Sequence, residues 1–298
     1  MKNNIFPCFW FDPETGSAQA AADFYSNAFR DAKITSDADV AVSLELFGQK
    51  VVLINGGPQF RPNPSISLFM VFETMEELDQ TWQKLTSEGS VLMPLDKYEW
   101  SEKYGWVQDK YGVNWQLAYG KISDVGQKFA VSLMFTAAQR GRAEEAINLY
   151  ASIFKESSIH GILKYTDKDQ NAYAHGTVMH GQFKLDGYTF MAMDSGVEND
   201  HPFSEGVSIM VECKTQDEID AYWEILTADG GEESMCGWLK DKFGVSWQIL
   251  PDSLLNMVSH PDKERSKRVM DAFMQMKKFD IATLEKAFEE NPSRVSNS

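Results

Sequence analysis

The stretch GWVQDKYGVNWQL at residues 105–117 recurs as GWLKDKFGVSWQI at residues 237–249. Eight of the thirteen positions are identical, and three of the five changes keep an apolar or aromatic side chain. Upstream, SLFMVFET at residues 67–74 corresponds to SIMVECKT at residues 208–215, and the matched blocks follow the same order in both halves. Self-similarity of this kind marks a repeated structural unit. The sequence therefore predicts two tandem copies of one domain.

Within each copy, short apolar strands alternate with amphipathic helices. A strand at Phe6–Phe11 precedes a helix whose N-cap we expect to be Ser17, and the second copy repeats this with a helix beginning near Arg142. Hairpin turns are predicted at Gly48 and at Asp186–Gly187. Each copy thus contains roughly two β-α-β-β units, and several connections are too short for parallel crossovers. The pattern favours an α+β fold with a mixed or antiparallel sheet.

The domain boundaries follow from the repeat. We predict a first domain at residues 1–120, a linker at 121–127, a second domain at 128–251 and a tail at 252–298. Apolar side chains recur in the tail with helical spacing at Val269, Phe273 and Met276, and again at Ile281, Leu284 and Phe288. We expect a helical hairpin that docks its apolar face on the acidic body or on a second copy of the chain.

The charge and the cysteines exclude several classes of partner. The 28 Lys and Arg residues against 44 Asp and Glu residues give a formal net charge of −16, which repels nucleic acid and anionic membrane surfaces. No apolar run approaches the roughly 18 residues that span a bilayer, and no signal peptide is recognised. Cys8, Cys213 and Cys236 lie far apart, as is usual in a reducing compartment. We expect a cytoplasmic protein without nucleic-acid or membrane partners.

The blocks together resemble a known superfamily. They include FWFD at residues 9–12, VMH at 178–180 leading to Met193 and Asp194, the repeated Gly-Trp segment, and VMDAFMQMKK at 269–278. These resemble the vicinal oxygen chelate (glyoxalase/bleomycin resistance/dioxygenase) superfamily, and within it the bacterial PhnB-like proteins labelled 3-demethylubiquinone-9 3-methyltransferase. The resemblance implies tandem domains built from paired βαβββ modules, with a C-terminal helical tail. It also implies that each domain closes a curved sheet around a cavity.

The metal chemistry of this superfamily can be tested on the residues. Members with a metal place His, Glu or Gln on the first, fifth and last strands of a domain. Here the first strands carry no His or carboxylate, the fifth strands offer Ser67 and Ser208, and the last strands offer Gln116 and Gln248. A divalent ion needs three or four such ligands, and a neutral amide alone does not hold it. We therefore expect no metal and no cofactor.

Aromatic and polar side chains give the candidate ligand site. The first copy is nine residues longer before Gly105 and carries Tyr98, Trp100 and Tyr104 there. The predicted ligand-binding residues are Trp10, Trp100, Tyr104, Trp106, Gln116, Ser208 and Trp238. Trp115 and Trp247 are expected to be core residues. Cys236 has no neighbouring base in the sequence and is expected to be an inert thiol.

Three functions remain open at this point. The preferred one is binding of a flat or amphipathic small molecule without a metal, with a homodimer as a further expectation. The second is a metal-dependent lyase, isomerase or dioxygenase in which His180, Asp194 and Gln248 would be the catalytic candidates. The third is methyl transfer, as the family label says. Neither Gly56–Gly57 nor Gly230–Gly231 matches the glycine-rich strand-turn-helix of a common nucleotide site.

Overall fold

The computed structural model describes residues 4–167 and 173–290 of the 298-residue chain. The chain divides after Ser208 into two compact units, here called unit one and unit two. Among the helices of the described ranges, none is both long enough and apolar enough to cross a membrane.

Unit one contains three complete β-α-β-β-β modules. The first consists of β1 (Ile5–Phe11), α1 (Ala18–Ala28), β2 (Ala32–Asp37), β3 (Ala41–Leu46) and β4 (Gln49–Asn55). The second consists of β5 (Ile66–Phe72), α2 (Met75–Thr86), β6 (Ser90–Tyr98), β7 (Ser101–Gln108) and β8 (Asn114–Tyr119). After a short helix α3 (Ile122–Val125), the third consists of β9 (Phe129–Phe135), α4 (Ala143–Ile153), β10 (Ser158–Lys164), β11 (Val178–Leu185) and β12 (Tyr188–Asp194). The βαβββ module implied by the resemblance is confirmed.

Each module of unit one has the same strand order, in which the first and last strands are neighbours and run parallel. In the first module the order is β1-β4-β3-β2, with β1 parallel to β4 and antiparallel pairs beyond. The parallel pair requires a long crossover, which α1 and the two outer strands provide. The predicted hairpin turns are also confirmed, since Gly48, Asp186 and Gly187 all have positive φ angles, of 76°, 49° and 77°.

The strands that the residue pattern alone omitted are edge strands. β2 and β10 expose most of their side chains, so neither shows the alternation of buried and exposed residues that identifies a strand. The longer segment before Gly105 forms part of a β6–β7 hairpin, with Tyr98 paired to Ser101 across its tip. The aromatic residues there are therefore held by a sheet.

One eight-stranded sheet lies wholly in unit one, and it combines the two repeats. Its order is β10-β11-β12-β9-β5-β8-β7-β6. The antiparallel β5–β9 pair joins the second module of the first repeat to the first module of the second repeat, with Ser67 opposite Ser132 and Phe69 opposite Ala130. The expectation that each repeat closes its own sheet is wrong here, because β5 pairs with the strand that follows the linker.

Unit two carries the last module and the tail. Its elements are β13 (Val207–Cys213), which begins at the unit boundary, α5 (Gln216–Thr227), β14 (Glu232–Glu233), β15 (Trp238–Lys240), β16 (Ser246–Pro251), α6 (Leu254–Val258), α7 (Lys263–Phe273) and α8 (Ile281–Glu289). The strand order is β14-β15-β16-β13. The predicted helical tail is present over its described part. Residues 291–298 lie outside the described residues.

The tail docks on its own unit through the segment between α7 and α8. The backbone N–H groups of Cys236 and Gly237 each donate to a carbonyl of this segment, those of Met276 and Lys277, at 2.7 Å. Phe279 is buried, and a Cβ atom at Gly237 would lie 2.4 Å from its ring. Glycine at position 237 is therefore required for the tail to approach β15.

Candidate functional site

The eight-stranded sheet of unit one has two different faces. Helices α2 and α4 pack on one of them. Gly181 of β11 lies on that side, because a Cβ atom there would come within 2.5 Å of Ile147 in α4. Since side chains alternate along a strand, His180 and Gln182 project to the opposite face, here called the inner face. At one end of the inner face, α3 packs Val125 against Val71.

The inner face carries an apolar cluster made by strands of both repeats. Its buried members are Tyr104, Trp106, Ala118 and Met134, and its partly buried members are Phe69, Met93, Tyr98 and Met193. Register explains the grouping, since Phe69, Gln116 and Trp106 are successive cross-strand partners on β5, β8 and β7. This cluster offers aromatic rings and flexible thioethers to a bound molecule.

A chain of hydrogen bonds runs beneath this cluster. The Tyr104 hydroxyl donates to Gln116 Oε1 at 2.7 Å, and Gln116 Nε2 donates to Ser67 Oγ at 2.8 Å. Burial, with the nearby Tyr98 as a smaller cause, raises the pKa of Tyr104 well above its usual value, so its hydroxyl keeps its proton. The chain therefore runs in one direction, from phenol to amide to serine.

Ser132 of β9 is the unpaired member of this polar row. It lies directly opposite Ser67 in the antiparallel β5–β9 pair and is 1% exposed. Its Oγ atom has no hydrogen-bond partner among the described residues. A buried hydroxyl without a partner costs free energy, so it marks a place where a further polar atom would be stabilised.

The aromatic residues of the β6–β7 hairpin border the cluster. The rings of Trp100 and Tyr98 stack with centroids 4.9 Å apart, and Tyr104 meets both rings edge-on. Trp100 is 66% exposed. An exposed tryptophan beside a buried aromatic group gives the cluster a rim that a flat ligand could contact.

The structure brings together some of the predicted ligand-binding residues. Tyr104, Trp106 and Gln116 lie in one group, with Trp100 at its rim. Trp10 is elsewhere, on β1, where its indole N–H donates to the carbonyl of Gly57 at 2.7 Å. The remaining two, Ser208 and Trp238, lie on β13 and β15, and Trp238 pairs in register with Gln248.

The catalytic candidates are not assembled into one constellation in unit one. His180 lies on the inner face, and its imidazole makes no hydrogen bond to the described residues. Burial lowers its pKa, so the ring is neutral near pH 7. Asp194 ends β12 and turns to the helix side of the sheet. The sheet therefore separates His180 from Asp194, while Gln248 belongs to unit two.

Asp194 has a structural role at the start of α4. Its carboxylate accepts backbone N–H groups from Gly141 at 2.7 Å, Val178 at 2.9 Å and Ala143 at 3.3 Å. Burial raises its pKa, and these three bonds oppose that effect. In the first repeat, Asn55 accepts the N–H of Ala18 at the start of α1 in the same way, at 2.8 Å. The two side chains anchor equivalent helices.

The residues at the family's metal positions do not fit a divalent cation. Ser67, Gln116 and Ser132 meet on the inner face, but they are neutral, and the Gln116 amide is engaged by Tyr104 and Ser67. A divalent ion is normally held by His, Asp or Glu. Within the described ranges, no group of three or more His, Cys, Asp or Glu residues is placed to hold one.

The repeated Gly-Trp segment has a structural explanation. Asp109 Oδ1 accepts the N–H groups of Tyr111 and Val113, and its Oδ2 accepts the Trp115 indole at 2.8 Å and the Tyr25 hydroxyl at 2.9 Å. In the second repeat Asp241 accepts equivalent bonds from Phe243, Val245 and Trp247. The conspicuous motif therefore closes a turn against the buried tryptophan, as expected of Trp115 and Trp247, which are 1% and 0% exposed.

Sequence reasoning missed the apolar half of the site. Phe69, Met134 and Met193 were not identified because they come from β5, β9 and β12, which belong to different repeats. Each lies on an unremarkable apolar strand. Only the β5–β9 register, which crosses the linker, places them together.

Comparison with known proteins assigns the family. A family model described as 3-demethylubiquinone-9 3-methyltransferase matches residues 3–118 and again residues 127–250. The chain belongs to the 3-demethylubiquinone-9 3-methyltransferase family. Its two matches coincide with the two repeats, and the predicted PhnB-like resemblance is confirmed. No curated protein matches the chain.

Solved structures similar to this chain include the following two. A Bacillus cereus protein described as a 3-demethylubiquinone-9 3-methyltransferase and PhnB protein is 34% identical, over 38% of this chain and 96% of its own, with a TM-score of 0.35. Glyoxalase I of Zea mays is 12% identical, over 83% of this chain and 92% of its own, with a TM-score of 0.56. The second comparison extends the glyoxalase fold across both repeats.

Proposed function

We propose that this member of the 3-demethylubiquinone-9 3-methyltransferase family binds a flat, uncharged or amphipathic small molecule at the inner face without a metal. The observation that carries the proposal is the apolar cluster around Phe69, Trp106, Met134 and Met193, with a rim that includes the exposed Trp100. Small-molecule sites are usually lined by apolar and aromatic side chains with a few placed polar groups. The polar atoms here are those of Gln116 and the two serines.

The surroundings of the cluster favour an uncharged ligand. Tyr104 keeps its proton and His180 is neutral near pH 7, since burial raises the pKa of the first and lowers that of the second. A buried charge on the ligand would therefore lack a partner, and an unpaired buried charge is costly. Methionines such as Met134 and Met193 adapt to ligands of different shape.

Methyl transfer, which the family description names, has no structural support in the glycine pairs. Gly56 and Gly57 follow β4 and lead towards β5, and Gly230 and Gly231 follow α5. Neither pair stands between a strand and the helix that it opens, as in the common dinucleotide-type site. Binding heat in a calorimetric titration with S-adenosylmethionine would support methyl transfer.

The proposal can be tested with tetralin, a bicyclic hydrocarbon without polar atoms, on protein dialysed against a chelator. We expect a saturable change in tryptophan fluorescence, because the ligand replaces water beside Trp100 and Trp106. Met193→Glu, which places a charge on the cluster, should weaken the affinity at least about tenfold. Met274→Glu makes the same change at a 55% exposed position outside the site and should leave the affinity unchanged. Absence of saturable binding, or equal losses in both variants, would contradict the proposal.

A further inference from the structure

We infer that the inner-face site recognises a neutral carbonyl oxygen of its ligand, and that the hydroxyls of Ser67 and Ser132 are the groups that bind it. This rests on the proposed function and narrows the ligand to flat, largely apolar ketones, quinones, lactones or lactams. The inference starts from the Ser132 hydroxyl, which is buried and has no hydrogen-bond partner among the described residues.

Both serines lie on the inner face, on neighbouring antiparallel strands. Ser67 and Ser132 are direct partners in the antiparallel β5–β9 pair, and direct partners on one face have Cβ atoms about 5 Å apart. One acceptor atom between them can therefore be reached from both strands. On the same face, Phe69 follows Ser67 and Met134 follows Ser132, two residues along each strand, so apolar contacts adjoin the polar pair.

The direction of the hydrogen-bond chain makes both hydroxyls donors. Tyr104 donates to Gln116, and Gln116 donates to Ser67, so the Ser67 oxygen accepts and its own hydrogen remains to be donated. Ser132 also has its hydrogen to donate, because no described residue accepts it. Two hydroxyl donors require an acceptor, which a carbonyl oxygen provides and a protonated amine or a hydrocarbon does not.

The electrostatics select a neutral carbonyl over a carboxylate. The polar row consists of Ser67, Ser132, Gln116 and Asn114, none of which carries a charge. The titratable group hydrogen-bonded to this row is Tyr104, and burial keeps it uncharged near neutral pH. A carboxylate would lose its hydration without gaining a cation, whereas a ketone oxygen needs only hydrogen-bond donors.

The first repeat supplies a variant that the fold already accommodates. Cys8 on β1 pairs with Val52 as Ser132 on β9 pairs with Met191, so Cys8 stands at the equivalent position, where it is 1% exposed. Ser132→Cys therefore keeps the size of the side chain and replaces a strong donor with a weak one. Ser67→Cys makes the same exchange on the opposite strand.

The test compares 1-tetralone with tetralin, which has the same carbon skeleton but no carbonyl. The dissociation constants are measured by tryptophan fluorescence for wild type, Ser132→Cys, Ser67→Cys and the exposed control Ser87→Cys. For each protein we take the ratio of the tetralin dissociation constant to the tetralone dissociation constant. The different hydration of the two probes is the same for every protein, so it cancels when these ratios are compared. We expect this ratio to fall about tenfold in each inner-face variant and to stay unchanged in Ser87→Cys.

The outcomes separate the carbonyl inference from the proposed function. Saturable tetralin binding with the same ratio in wild type and both inner-face variants would overturn the inference and leave the binding function intact. Failure of both probes to bind folded wild-type protein would overturn both. Circular dichroism and thermal unfolding identify any variant that does not fold, and the other serine variant then decides the result.

Discussion

At the residue scale, Asp109 explains why the sequence repeats a Gly-Trp motif. Its carboxylate accepts four hydrogen bonds and holds the turn before β8 against Tyr25 of α1. In the sequence, the same pattern predicted two tandem copies, and three of its residues, Trp106, Gln116 and Trp238, were among the predicted ligand-binding residues. The aspartate is kept in both repeats, as Asp109 and Asp241, and in each it accepts hydrogen bonds from a buried network in which each donor needs its acceptor.

Replacement of Asp109 by Asn should destabilise the protein. An amide can still accept from the two backbone N–H groups, but its NH2 group then faces the Trp115 indole N–H, which loses its acceptor. The expected loss is about 1–3 kcal/mol at pH 7. Urea unfolding of the variant and of the exposed control Asp39→Asn measures it, and equal stabilities would refute this role for Asp109.

The pH dependence of Asp109 follows from its burial, which raises its pKa from the ordinary value of 3.8 to about 6. Between these values the folded protein holds a proton that the unfolded chain has released, so raising the pH through this window lowers stability. Asp109→Asn lacks this titration. The stability advantage of wild type over the variant should therefore shrink by about 2–3 kcal/mol from pH 4 to pH 7. An advantage that stays constant across that range would count against the assignment.

At the element scale, helix starts and central strands were predictable, and edge strands were not. Ser17 accepts the N–H of Ala20 at the start of α1, as its place before an Ala-rich run predicts. β5, with nearly every side chain buried, reads as an apolar run. β10 and β2 carry no such signal because only one neighbour pairs with each. β6 is also an edge strand, and the sequence predicted only a longer connection before the strand that begins at Gly105.

The tip of the β6–β7 hairpin should contribute to binding but not to folding. Trp100→Ala removes an exposed side chain that stacks on Tyr98, so the unfolding free energy should change by no more than about 0.5 kcal/mol. Loss of the aromatic contact should weaken tetralin binding about three- to tenfold. Val40→Ala, at the exposed turn between β2 and β3, is the control for both measurements. Unchanged affinity in Trp100→Ala would show that the tip of the hairpin does not contact the ligand.

The tail segment should be a stabilising part of unit two. Phe279 is 2% exposed and lies against Gly237, so Phe279→Ala should cost about 3–5 kcal/mol. The exposed neighbour Met274 gives the control Met274→Ala, with little expected effect. Guanidinium unfolding followed by circular dichroism distinguishes the two. A loss below about 1 kcal/mol for Phe279→Ala would mean that the tail is a dispensable appendage.

At the scale of the whole molecule, the duplication predicted the modules but not how they pair. In unit one, the second module of the first repeat pairs with the first module of the second repeat. The repeated blocks are visible in one sequence, whereas the β5–β9 pair depends on which strand edge β5 meets. When two repeats have the same pattern of strands, a strand can pair within its own copy or with the other copy. The local sequence pattern does not distinguish these two arrangements. For this reason the sequence did not predict that Met134 and Met193 belong to the candidate site. The domain bounds 1–120 and 128–251 stay a prediction from the sequence.

Isolated residues 1–120 should consequently self-associate. Without β9, the β5 edge is unpaired, and an unpaired apolar edge strand recruits another chain. We expect this fragment to form dimers or larger assemblies in light scattering after size exclusion, and the full chain to show less of this behaviour. A stable, folded monomer of residues 1–120 would show that β5 does not need β9 as its partner.

The most direct test of the central claim is a crystal structure of the full chain with 1-tetralone. We predict ligand density among Phe69, Trp106, Met134 and Met193, with the ketone oxygen directed towards Ser67 and Ser132. Density confined to other surfaces, or a cation held by three side chains on the inner face, would contradict metal-free binding at this sheet.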